Sequence, residues 1–146
     1  ILRLSKSSYI MMCKNVTTNM SGQRKYVAVI DDESDLVKLF SDALEAEGFK
    51  VRGFDDPLMA VDHLYIHHSE YSLVLSDIRM PGIDGFHVAK LIHQMDKEIK
   101  VILTSAFEFY DDGIKEIQID EFIKKPIHIA ELVNVIRNNL LPTQIH

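Results

Sequence analysis

Five short strand-like runs, each followed by a helical pattern, constrain this chain more than any other feature. Tyr26-Val27-Ala28-Val29-Ile30 is the first, and Phe49 to Phe54 the second. The third is Ser72-Leu73-Val74-Leu75-Ser76-Asp77, the fourth Lys100 to Ala106, and the fifth Asp120 to Lys124. Continuous apolar runs such as Leu73-Val74-Leu75 belong to strands covered on both faces. The second run alternates instead, as expected near a sheet edge. Alternation of strand and helix over short loops implies an α/β fold, a parallel sheet with helices on both faces joined by right-handed crossovers.

The intervening helices carry their own signals. Leu36, Leu39, Phe40, Ala43 and Leu44 recur at helical spacing, with Ser34 or Asp32 as candidate cap and Gly48 as the stop. Asp55-Asp56-Pro57 opens a second helix, whose expected core positions are Leu58, Val61, Leu64 and Tyr65. Asp84 is placed to cap a third, burying Phe86, Val88, Ala89, Ile92 and Met95. A short, weak helix is expected from Glu108 to Ile117, with Gly113 against it. The fifth and last buries Ile129, Leu132, Val133, Ile136 and Leu140, and Pro142 ends it.

In such folds ligands gather at the C-terminal ends of the strands. Asp31 and Asp32 end strand one, Asp77 ends strand three, Ser105 ends strand four and Lys125 follows strand five. Three crowded carboxylates repel one another unless a cation lies among them. Hard oxygen ligands suit Mg²⁺ or Ca²⁺, and Mg²⁺ favours a few carboxylates plus phosphate oxygens. A carboxylate can also act as a nucleophile. With Lys125 and a hydroxyl from Ser105 to hold oxygens, the parts make a phosphoryl-acceptor site at Asp77. The bland alternative is that these acids are helix caps, Ser105 a strand-end hydroxyl and Lys125 a surface lysine. Lys124 fits that last role better. Met80 is read as packing. His63 and His67 stand at i, i+4 with His68 beside them, read here as a solvated helix face rather than a metal site.

Charge narrows the partners. All 22 acids lie from Asp31 onward, against 11 Lys and Arg, a net of −11 for that part of the chain. So acidic a body argues against direct nucleic-acid binding, which phosphate contacts dominate. No run is long enough to cross a bilayer. The single cysteine, Cys13, excludes an intrachain disulfide and suits a reducing, cytoplasmic setting. Residues 1–23 are Ser/Thr-rich without helical period or caps and are expected to form a disordered extension ahead of one domain over 24–142.

Val29-Ile30-Asp31-Asp32-Glu33, Asp77-Ile78-Arg79-Met80-Pro81-Gly82-Ile83-Asp84-Gly85, Val101 to Ala106 and Lys125-Pro126 stand in order at ordinary spacing. In these motifs the chain resembles the receiver domain of two-component response regulators, over roughly Lys25 to Leu141. The resemblance implies a doubly wound, flavodoxin-like sheet of order 2-1-3-4-5 with five helices. It implies that Asp77 takes a phosphoryl group from a histidine kinase or phosphotransfer protein. Asp31, Asp32, Asp77 and the backbone carbonyl of Arg79 would hold Mg²⁺. Ser105 aligns with the switch hydroxyl rather than Thr104, Phe122 with the switch aromatic, and Lys125-Pro126 with a cis peptide. Arg79 and Phe107 fall at positions that tune phosphorylation lifetime. Output is expected through the surface of helix four, strand five and helix five, from a single-domain regulator, since no effector domain follows His146. Two other readings are a constitutive interaction module and a haloacid-dehalogenase-like phosphatase. The latter wants an acid where Arg79 stands and a cap domain.

Overall fold

The computed structural model describes residues 24–106 and 117–141. Strand β1 (Tyr26–Ile30) leads to helix α1 (Ser34–Ala46), then β2 (Lys50–Phe54), α2 (Pro57–His67) and a 3₁₀ turn (His68–Glu70). They are followed by β3 (Tyr71–Asp77), α3 (Gly85–Met95), β4 (Lys100–Ser105), β5 (Glu121–Lys124) and α4 (Ile129–Leu140). The strands form one parallel sheet in the order β2-β1-β3-β4-β5. Four α-helices lie among the described residues. The expected helix at 108–117, Phe107, and the extension over 1–23 fall almost wholly outside them.

Alternation along the strands divides the core into two layers. Ala28, Ile30, Val74, Val101 and Leu103 point to α2 and α3, meeting Ala60, Leu64, Val88, Ala89 and Ile92. Val27, Val29, Leu73, Leu75 and Ile102 point to α1 and α4, meeting Phe40, Leu44, Leu132, Val133 and Ile136. Leu73, Val74 and Leu75 are buried on both sides, as their unbroken apolar run requires. Met80 packs against the first layer. Strand β2 is an edge, which explains why it alternates.

Loop chemistry sets where the strands end. Asp56 accepts hydrogen bonds from the amides of Leu58 and Met59, and Pro57 stands in the first turn of α2. Asp84 likewise accepts from the amide of His87 at 2.9 Å, fixing the start of α3. Gly48 takes φ +95°, a left-handed stop after α1.

Three expectations are corrected. Helix α1 is not capped by Ser34 or Asp32: Glu33 is its N-cap and provides no side-chain cap. Asp31 takes up the Glu33 amide instead, through Oδ1 at 2.9 Å. Helix α2 buries Pro57, Ala60 and Leu64, while Leu58 and Tyr65 are exposed. The histidines are not a merely solvated face. His63 Nε2 lies 2.7 Å from the Tyr71 hydroxyl, His67 Nδ1 2.7 Å from Glu70, and His68 Nδ1 2.8 Å from Asp96. Arg52 bonds Glu70 and stacks over the Tyr26 ring, and Arg24 bonds Asp96. These pairs tie the 3₁₀ turn to the N-terminal edge of the sheet, away from Asp77.

Candidate metal and phosphoryl site

The C-terminal edge of the sheet brings together side chains 94 residues apart in sequence. Strand β1 ends at Ile30, and the amide of Asp31 bonds Phe54 O of β2, so Asp31 continues the strand direction into the edge. It is 2% exposed, whereas Asp32 is exposed. Asp77 is the last residue of β3 and 8% exposed. Oxygen atoms of Asp31, Asp32 and Asp77 all lie within 4.8 Å of one another.

Lys125 enters from the opposite side. Its amide donates to Ser105 O at 2.7 Å, carrying the β4–β5 pairing one residue past the strand, and its peptide with Pro126 is cis. Its Nζ lies 3.1 Å from Asp31 Oδ2 and 3.4 Å from Asp77 Oδ1. Lys125 is largely shielded and Lys124 is exposed. Of the two carboxylates, Asp31 is the nearer partner.

Burial raises the Asp77 carboxyl above the ordinary aspartate range, and the charge of Asp31 adds to this, with Lys125 opposing. Lys125 is raised, since its bonds to Asp31 and Asp77 together outweigh the cost of burying it. The single ammonium does not balance three carboxylates. An all-oxygen set this close, with one exposed member open to solvent, fits a hard divalent cation that keeps several waters.

The remaining candidates lie around this centre. Thr104 stands opposite Asp77 in register, and its carbonyl accepts from Ile78 N at 3.0 Å. Ser105 is the next residue, buried, and opposite Lys124. Arg79 follows Asp77 by two, at the start of the loop to α3. Phe122 on β5 is 45% exposed, and its ring centroid lies 6.4 Å from that of Phe86 on α3. Its ring is thus part exposed and lies beside α3.

One positioning residue escaped sequence reasoning. Gly85 begins α3 directly against the end of β3, its amide donating to Ile78 O at 2.8 Å. A Cβ there would come within 2.5 Å of Asp77 O and 2.9 Å of Ile78 Cα. The helix thus presses on the very backbone that carries Asp77. Gly82, at φ +87°, makes the preceding turn. Of the two glycines, only Gly85 is demanded by neighbouring backbone.

Residues 27–137 match the family described as response regulator receiver domain. The chain is 28% identical over 122 residues to the response regulator receiver protein CpdR of Brucella abortus, covering 80% of this chain and 98% of CpdR. It is 30% identical over 120 residues to the polar-differentiation response regulator DivK of Brucella ovis, covering 80% and 96%. It spans only 28% and 46% of two longer transcriptional regulatory proteins that it also matches. Among solved structures, response regulator protein TrrA from Thermotoga maritima, in complex with Mg²⁺-BeF, superposes with a TM-score of 0.70 at 30% identity, over 80% of this chain and 99% of TrrA. Sheet order, motif positions and sequence similarity agree, and the chain belongs to the response regulator receiver domain family.

Proposed function

We propose that this protein is a phosphorylation-switched signalling module, with 24–142 as the working unit and Asp77 as phosphoacceptor. The observation that carries the reading is the convergence of Asp31, Asp32 and Asp77 within 4.8 Å, with the Lys125 ammonium 3.1–3.4 Å from two of them. A carboxylate oxygen of Asp77 attacks the phosphorus of a phosphohistidine on a kinase or phosphotransfer protein. A P–O bond forms, the P–N bond breaks, and the imidazole leaves with the electron pair and takes up a proton. Lys125 is placed to hold an oxygen of the arriving group. Asp31, Asp32, Asp77 and the backbone carbonyl of Arg79 would hold Mg²⁺, which supplies charge neutralisation when bound. TrrA's complex with Mg²⁺-BeF supports that choice of ion.

Ser105 and Phe122 are the switch. A phosphoryl group on Asp77 offers Ser105 an acceptor, and its movement biases the Phe122 ring inward, reshaping the surface of β5 and α4. The near-complete coverage of CpdR and DivK supports a single-domain regulator whose output is protein contact. The acidic body supports a protein without direct nucleic-acid contact; among the described residues no helix is long and apolar enough to cross a membrane.

The test is intact-mass measurement after incubation with Mg²⁺ and acetyl phosphate, repeated on Asp77→Asn. A labile phosphoryl adduct absent from the variant is the expected result. Multiple turnover without an adduct would point to a phosphatase. Folded protein with neither adduct nor turnover would point to a constitutive interaction module.

A further inference from the structure

Helix α2 is apolar on two opposite faces. Pro57, Ala60 and Leu64 are buried against the sheet. Yet Leu58, Met59, Tyr65 and Ile66 are 53%, 66%, 72% and 73% exposed. At 3.6 residues per turn these four side chains and Asp62 fall within an arc of about 120°, opposite the buried face. A helix apolar all round belongs inside a structure, not on its surface. Side chains of this size, each more than half exposed, present on the order of 500 Å² of largely apolar surface around Asp62. That exceeds what solitary exposed residues need and reaches the size of a docking patch. A groove of about 720 Å³ continues it toward α3, lined by Leu58, Met80, Ile83 and Leu91.

The charges around the patch select its occupant. Asp62 lies in the middle of both the helix and the stripe. Asp55 and Asp56 stand at its N-terminal end, where Lys38 shares a pocket with them and Met59, and Asp84, His87 and Lys90 line the groove. Four carboxylates thus rim an apolar surface. A second copy of the chain is a poor fit, because an antiparallel α2–α2 packing centred on the stripe would place Asp62 against Asp62 of the partner. Two carboxylates meeting in a desolvated contact repel strongly. An anionic surface meets the same rim.

We propose that this face docks a basic amphipathic helix of a partner protein, its apolar side chains on Leu58, Tyr65 and Ile66 and a Lys or Arg on Asp62. The patch is too small for a permanent complex, which buries about 800 Å² per partner, and suits a transient one. The surface lies on the helix preceding the phosphoacceptor strand, away from β5 and α4, so one partner there leaves the proposed output face free.

The test uses the full chain, ¹⁵N-labelled, titrated with a helical leucine–lysine peptide and with its leucine–glutamate counterpart. The expected result is amide shifts confined to α2 and the adjacent turn of α3, with the lysine peptide bound more tightly. Asp62→Lys weakens the lysine peptide about fivefold and strengthens the glutamate peptide. The double variant Tyr65→Gln with Ile66→Gln loses both. These side chains are exposed, so thermal unfolding of the variants stays close to the parent. Equal binding of the lysine peptide to parent and both variants would overturn the proposal, as general attraction to an acidic protein. So would self-association through α2 that survives Asp62→Lys.

Discussion

Replacing Gly85 with alanine tests whether the α3 terminus positions the phosphoacceptor. The added Cβ would lie 2.5 Å from Asp77 O, where ordinary contact begins at 3.4 Å, a shortfall of 0.9 Å. The obstructing atoms are backbone, so no side-chain rotation relieves them. Alanine is the better helix former by about 1 kcal/mol, which favours the variant. Overpacking against a rigid strand costs about 1–3 kcal/mol and outweighs it. The net expectation is a loss of up to about 2 kcal/mol in urea unfolding. If helix and strand share the displacement equally, Asp77 moves by about half an ångström. A misplacement of 1 Å costs about 10²-fold, so adduct formation should slow about tenfold. Gly82→Ala is the control. Its strain comes from φ +87°, and its close neighbour is the flexible Leu58 side chain at 3.3 Å. It should lose about 1–2 kcal/mol of stability with little change in rate. Unfolding curves and the acetyl-phosphate adduct rate, read on both variants, decide the matter. Gly85→Ala with parental rate and stability would refute the positioning argument.

Lys125→Met removes the counterion of Asp31 and Asp77; adduct formation should fall about 10²-fold, as on losing a preorganised donor. Adding Mg²⁺ at 100 times its dissociation constant should stabilise the fold by about 2.7 kcal/mol, and Asp32→Asn, a change at an exposed residue, should sharply reduce the rise in Tm. His63 is held below the ordinary histidine range by burial, then by His67 and Arg52. The unfolded chain therefore binds its proton first, so stability falls as pH drops below about 6.5 toward the folded value. His63→Gln should fall less over the same melts, with Arg52, His67, Glu70 and Tyr71 unchanged around it. Burial would raise the Asp96 carboxyl, but bonds from His68 and Arg24 together hold it below the usual range. Asp96→Asn should cost about 2 kcal/mol at neutral pH. The difference from the parent should vanish in acid, as Asp96 itself protonates.

The strands were legible because hydrophobic pattern and punctuation agreed. The unbroken Leu73-Val74-Leu75, closed by Asp77 and the Pro81-Gly82 loop, fits a doubly covered strand, and Asp56, Pro57 and Asp84 mark helix starts by chemistry local to the chain. Helix α2 was misread because its apolar residues lie on two faces. Periodicity then leaves the rotation open, and Ala60 is buried while Tyr65 is not. The cap of α1 was misread because a third acid adjoins the two candidates: Asp31 Oδ1 takes the Glu33 amide while Lys125, just past β5, fixes its Oδ2.

By itself the sequence determined the α/β class, the five strands and the acids, hydroxyl and lysine at their ends. Those properties depend on neighbours a few residues away. Only the tertiary structure decided that Asp31, more than Asp77, holds Lys125, that Asp32 faces solvent, and that Gly85 bears on the backbone of Asp77. It also decided which side of α2 is left bare. Each of these is a contact between elements remote in sequence, set by sheet register and helix packing, and no local pattern encodes it.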